Sequence, residues 1–412
     1  MSYSPPENET IKERLWVVSE LYYPEETSTG YYLTKIAEGL ADEFDVKVLC
    51  GQPNYFRRGV RAPKHEIHRS VEIFRAAGTT FDKNVIPLKL INMVTLGISV
   101  LFHAMRRFKK GDRVLVVTTP PIMPFIICIA SLLKGTSYTL LIHDNYPEMI
   151  YAVGKTTETS LLTRTVNYCN RWLYKYTAKI IAVARDMREL LLKKTQGLDI
   201  PIDVIPNWAE LDSVSPMPRS ENTLLKELGL EDKFVFLYAG NMGRPNDLES
   251  IIEAAARLID RPEFHFIFLG NGAKLSWLEE TVSTRKLKNV TILPPSPRSK
   301  QIVFLNACDV ALVTLVKKMK GVSMPSRTYN IMAAGKPILA IAEKGSELDL
   351  VVNEEGIGRL VEPHDPDALI EAIKDLHQNK AQLPEMGENA RIAALEKYSL
   401  DAALAAYKEA LK

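Results

Sequence analysis

The strongest constraint on this chain is a rhythm that runs, stops and starts again. RLWVVSE (14–20) is a short β-rich run, TKIAEGLADEF (34–44) has helical spacing, and DVKVLC (45–50) is strand-like once more. RVLVVTT (113–119), SYTLLIH (137–143) and KIIAVA (179–184) each follow a helical stretch. Parallel strands need a crossover, usually a helix, so this alternation predicts a parallel sheet covered on both faces. Around 206–232 the texture changes to prolines, polar residues and one short helix. The pattern then restarts with KFVFLYAG (233–240), a helix over 247–259, FHFIFLG (264–270), a helix to about 286, NVTILPP (289–295), DVALVTLV (309–316) and PILAIA. Helices are expected at about 366–377 and 384–411. The fold class is therefore α/β: two doubly wound domains over 14–207 and 233–385, a linker over 208–232, and a terminal helix over 386–412 packing back towards the first domain. A chain of 412 residues suits two cores better than one. In open sheets of this kind ligands sit beyond the carboxyl ends of the strands, so both domains can aim at one cleft.

Composition removes several functions. Hydrophobic residues make up 46% and charged residues 25%, as in an ordinary globular protein. A net charge of +2 gives no support to nucleic-acid binding as the main task. Cys50, Cys128, Cys169 and Cys308 form no CxxC pair and read as reduced, buried thiols of a cytoplasmic protein, with no zinc site. MSYSPPENETIKER lacks the apolar core of a signal peptide. VIPLKLINMVTLGISVLFHAM (85–105) is about long enough to span a bilayer, but Lys89, Asn92 and His103 interrupt it. It reads as a buried or membrane-surface helix. The basic run RRFKKGDR (106–113) follows it, so 85–113 is a candidate contact with the inner membrane face.

The residues able to do chemistry cluster at predicted strand ends. FLYAGNMGR sets Gly240, Asn241, Gly243 and Arg244 between a strand and a helix, where main-chain amides can approach an anion; a tight turn is the structural alternative. FLGNGAK repeats the device at Gly270 and Gly272, which give a flat base room against the main chain. GVSMPSRTYNIMAAGKP opens a helix with Ser323 as the expected N-cap and Ser326 and Arg327 in its first turn. Cations belong at helix C-termini, so an arginine here is misplaced unless it serves an anion. Tyr329, Met332 and Ala333 should face the sheet. In the first half, Gly30 lies in a loop after the first strand, Asn54 follows another in GQPNYF, and His143 and Asp144 end a third in IHDNYPE. DPD at 365–367 mimics a metal-binding motif, but it precedes a helix and reads as an N-cap with a first-turn acid.

Taken together, LYYPEETSTG, GQPNY, TTPP, HDNYPE, VIPNW, YAGNMG, LGNG, PSRTYNIMAAGKP and GIGRLVEPHDP, in this order over about 14–405, resemble the family 4 (group 1) glycosyltransferases of GT-B fold, nearest the colanic-acid-type branch of polysaccharide biosynthesis. The resemblance implies two Rossmann-like domains, the first facing the acceptor and the second holding a nucleotide diphosphate sugar, usually UDP-linked. It implies transfer with retention at the anomeric carbon, without metal or cofactor, to a glycan or lipid-linked acceptor. On the matched positions, Gly240, Asn241, Gly243, Arg244, Ser326 and Arg327 would hold the diphosphate. Gly270, Gly272, Asn330 and Glu347 would lie near base and ribose, Gly30 and Asn54 on the acceptor side, and His143 with Asp144 at the transferred sugar.

The chain departs from the family pattern at three points. Val322 and Asn330 stand where many members carry two glutamates, Glu347 being a candidate substitute at the ribose. Pro245, Asn246 and Asp247 replace the basic residue that often follows the glycine turn. Two other readings use the same fold: a sugar-nucleotide epimerase, which turns over without acceptor, and a non-catalytic sugar-nucleotide or glycan-binding protein.

Overall fold

A computed structural model describes residues 12–53, 61–81 and 85–412. The first sheet has strands β1 (Arg14–Ser19), β2 (Asp45–Cys50), β3 (His65–His68), β4 (Val71–Arg75), β5 (Arg113–Val117), β6 (Ser137–Ile142), β7 (Lys179–Ala182) and β8 (Ile202–Val204). Their order is β3-β4-β2-β1-β5-β6-β7-β8, and every pair is parallel except β3 with β4. The second sheet holds β9 (Phe234–Asn241), β10 (Phe264–Asn271), β11 (Val290–Leu293), β12 (Val310–Thr314), β13 (Ile338–Ile341) and β14 (Gly358–Val361), all parallel, in the order β11-β10-β9-β12-β13-β14. Central strands such as VALVT and ILAI are buried throughout, which is why they read as continuous apolar runs.

Helices α1 (Ser28–Leu40), α2 (Ile86–Arg107), α3 (Met123–Lys134) and α4 (Leu161–Lys175) belong to the first domain. Helices α5 (Arg327–Ala333), α6 (Glu347–Glu354), α7 (Leu383–Glu396) and α8 (Leu400–Ala410) follow the restart. The predicted 384–411 helix is in fact two, broken where Ser399 caps α8 by accepting from the Ala402 amide. The break changes the chain's destination. α7 packs on α5, whereas α8 packs on α1, with Leu404 against Gly39 and Lys408 on Asp42 at 2.6 Å. The linker is also tied to this crossing, since the Ala209 amide donates to the Tyr398 carbonyl at 2.8 Å. Three of the cysteines are buried as expected, but Cys169 is exposed on the outer side of α4. Asp365 caps its helix through the Ala368 amide and Asp367 pairs with Arg257, so both carboxylates have structural work.

Candidate active site

β9 and β10 end side by side, paired through Gly240 with Gly270 and Asn241 with Asn271. Here the main chains run closer than side chains would permit. A Cβ on Gly270 would lie 2.0 Å from the Gly240 carbonyl oxygen, and one on Gly272 2.4 Å from the Met242 carbonyl carbon. Contact between the two loops therefore accounts for both glycines, which revises the expectation that they make room for a base. Gly240 is different, because the space its missing side chain leaves holds Arg327, whose Nη1 would sit 2.8 Å from such a Cβ. Gly243 closes the turn beside the Asn241 side chain, and Arg244 is exposed there without an ion pair among the described residues.

Arg327 is held on two sides. Its guanidinium lies over the Tyr238 ring at 4.5 Å, a cation–π contact of about 0.5–2 kcal/mol. Its Nη2 donates to Asn246 Oδ1 at 2.6 Å. Asn246 is itself buried and donates to the Asn241 carbonyl at 3.0 Å, so one amide braces both the glycine turn and the arginine. Nη1 is left buried with no partner. An unsatisfied buried donor costs about 1–3 kcal/mol, more when charged, which is the condition of a group waiting for an anion. Ser326 is the N-cap of α5 but makes no capping bond, and its hydroxyl neighbours that of Tyr32 from α1. Ser323 is not the cap. It is drawn off into an isolated antiparallel bridge with Asp144. Tyr329, Met332 and Ala333 are buried as their spacing predicts.

The first domain meets this segment at the end of β6. The Asn145 amide donates to the Val322 carbonyl at 2.9 Å and its side chain to the Gly321 carbonyl at 2.7 Å. Burial raises the Asp144 carboxyl, and a hydrogen bond with Ser323 opposes the rise. Asp144 thus seats the segment leading to Arg327. His143 is beside it, with its amide donating to Thr118 Oγ1 at 3.3 Å and Nε2 buried without a partner. Burial brings its pKa down to about 4, so the imidazole is neutral at neutral pH. Gly30 lies not in a loop but in the first turn of α1, its amide donating to Thr27 Oγ1 at 3.2 Å, and a Cβ there would meet the Glu25 carbonyl oxygen at 2.7 Å. Asn54 lies outside the described residues.

Two expected nucleotide contacts are already engaged. Asn330 accepts from the Glu210 amide at 2.8 Å and donates to Glu210 Oε1 at 2.6 Å and Gln301 Oε1 at 2.8 Å, which uses its hydrogen-bonding capacity to anchor the linker. Glu347 accepts from the Arg185 amide at 2.7 Å and from its guanidinium at 3.1 Å, across the two domains. Both side chains join parts of the molecule and are not free for a ribose, which corrects the sequence expectation. What sequence reasoning missed is the supporting set: Tyr238, Asn246, Glu210, Arg185 and Asp186. Asn246 carried a signal, since it falls in the segment read only as the loss of a basic residue. Glu210 carried none, because its partners come from elements far along the chain.

Known proteins bear on this arrangement. Residues 28–208 match the model of the glycosyl transferase 4-like domain, and 220–393 match that of the glycosyl transferases group 1. A Pseudomonas aeruginosa protein named "Probable glycosyltransferase WbjE" is 29% identical over 393 residues, covering 94% of each chain. WcaI of Escherichia coli K12, named for colanic acid biosynthesis and glycosyl transfer, is 27% identical over 86% of this chain and 89% of its own. The crystal structure of Anabaena HepE with UDP-glucose superposes with a TM-score of 0.74 at 16% identity, covering 97% of this chain and 99% of that one, which shows the shared fold. Two parallel-sheet domains of GT-B type, matched over nearly their whole length by these two models, make this chain a member of the family 4, group 1 glycosyltransferases.

Proposed function

We propose that this glycosyltransferase moves a sugar, with retention and without a metal, from a UDP-linked donor to a glycan or lipid-linked acceptor in surface polysaccharide biosynthesis. The single observation that carries the reading is the guanidinium of Arg327, fixed by Tyr238 and Asn246, with its Nη1 buried and unpartnered at the end of β9. A leaving diphosphate develops charge as the glycosidic bond breaks, and a preorganised cation there stabilises that charge without reorganising. Arg244, Ser326 and the Gly243 amide supply further donors, so the protein's own groups take the part a metal plays elsewhere. His143, neutral at neutral pH, is assigned to the transferred sugar as a hydrogen-bonding group. WcaI, named for colanic acid biosynthesis, and HepE, crystallised with UDP-glucose, support the pathway and the donor. The acceptor side, with its outward apolar helix over 85–105 and basic 106–113, is assigned to the cytoplasmic face of the membrane.

Calorimetric titration with UDP tests this. Arg327→Ala should weaken binding by about 2–4 kcal/mol, the scale for losing charge-assisted contacts. Equal affinity of wild type and variant overturns the assignment, and loss of wild-type binding in a chelator overturns metal independence.

A further inference from the structure

Three neighbouring helices of the first domain, α2, α3 and α4, contain no aspartate or glutamate. They pack in sequence, α2 on α3 and α3 on α4, and Gly97 of α2 gives the Ile126 side chain of α3 its place. On α2 the inward row is Asn92, Leu96, Val100 and Ala104, all buried. Its outward row is Leu90, Val94, Ile98 and Phe102, at 54%, 49%, 66% and 63% exposure. One helical face thus belongs to the protein core and the opposite face is apolar and bare. The helix is long and apolar enough to cross a membrane, but its inward row is committed to the domain, so lipid cannot surround it. α3 continues the bare surface with Leu132 and Leu133. α4 adds Leu161, Leu162 and an aromatic row, Tyr168, Trp172 and its C-cap Tyr176, with the last two rings edge to face at 5.5 Å. Interspersed are the exposed cations Lys89, Arg106, Arg164, Arg171 and Lys175.

We infer that this three-helix face docks on an anionic bilayer, and that α4 with its aromatic row is a lipid contact in its own right beside α2. The inference rests on the proposed action at a membrane surface and extends it to a second element. Amphipathic aromatics favour the interface between headgroups and acyl chains, and the cations answer anionic headgroups. A second copy of this chain is the poorer occupant. A two-fold contact sets a patch against itself, and here it would set cations against cations with no acid on these helices to offset them.

Sedimentation of the full chain with phosphatidylglycerol-containing and pure phosphatidylcholine vesicles tests the docking face. Wild type should bind the anionic vesicles at low salt and lose most of that binding at high salt. Tyr168→Ser with Trp172→Ser on α4, and separately Ile98→Ser with Phe102→Ser on α2, should each lower partitioning about tenfold or more, given the apolar area withdrawn. An α4 pair that binds like wild type overturns the inference even if the α2 pair is impaired. Self-association lost in the variants, with no vesicle binding by wild type, also overturns it and assigns the face to a second copy. UDP affinity is measured on the same preparations. Retention of it in the variants shows that they fold, and vesicle binding without UDP binding by wild type supports the docking face while removing the donor reading.

Discussion

An arginine in the first turn of a helix opposes the local field of the amide ends, and Arg327 was legible in the sequence for that reason. Its supports were not, because cation–π and amide contacts from Tyr238 and Asn246 depend on where β9 lies relative to α5. Asn330 shows the opposite case. Its position suggested a place at the ribose, yet its amide is matched to Glu210, 120 residues away. The pairing also gives a physical reason for an amide where many members carry a glutamate. A second carboxylate there would face Glu210 Oε1 in a buried setting, where like charges cannot both ionise cheaply. Asn330→Glu is expected to destabilise the protein by about 2–4 kcal/mol, on the scale of an uncompensated buried charge. Glu210→Gln in the same chain should restore much of the loss. Thermal melts of the two single variants and the double variant measure the coupling, and additive losses would show that the two side chains do not oppose each other.

At the scale of elements, the strand–helix rhythm fixed most of both sheets in advance, since buried parallel strands leave apolar runs and crossovers leave helical spacing. The β3–β4 hairpin escaped because its strands are short and half-exposed, turning through Arg69 and Ser70 at φ of 45° and 64°. The glycine turn after β9 was found, but its internal division was not. Gly270 and Gly272 serve contact between loops, whereas Gly240 serves Arg327. That division predicts different outcomes for two small substitutions. Gly240→Ala places a methyl where Nη1 lies and strains a residue at φ 147°, so Arg327 must move and UDP affinity should fall about tenfold or more. Gly243→Ala meets the Asn241 side chain at 3.0 Å and Pro245 Cδ at 3.4 Å, with no positive φ, and should bind UDP nearly as wild type does. Calorimetry on both decides it. An equal loss in the two variants would mean that the turn acts as a whole and that Gly240 has no special relation to the arginine.

At the scale of the whole molecule, the two domains are joined by specific polar contacts as well as by the linker. Asp186 accepts from the Gly321 and Glu347 amides at 2.8 and 3.0 Å, and Arg185 binds Glu347 and Glu354. Arg298 from the second domain pairs with Glu210 and stacks on Tyr31 of α1 at 4.0 Å. None of this was readable from composition or spacing, because each contact unites residues far apart in the chain. The Arg185–Glu347 contact has a pH signature whose sign can be worked out. Burial raises the Glu347 carboxyl, and Arg185 opposes that rise. Without Arg185 the carboxyl rises further, so the folded state holds its proton to higher pH than the unfolded state does. A raised folded-state value means stability falls as pH climbs from the ordinary carboxylate range towards the folded one. Arg185→Ala should therefore cost about 1–3 kcal/mol near neutral pH, a figure held low because the guanidinium is 42% exposed. The deficit should shrink as pH is lowered through the ordinary carboxylate range, below which Glu347 is neutral in both states. Melting temperatures of wild type and variant across that range report the difference directly. A deficit that stays constant with pH would assign the loss to packing of the arginine stem, and one that grows on acidification would contradict a clasp built on the Glu347 charge.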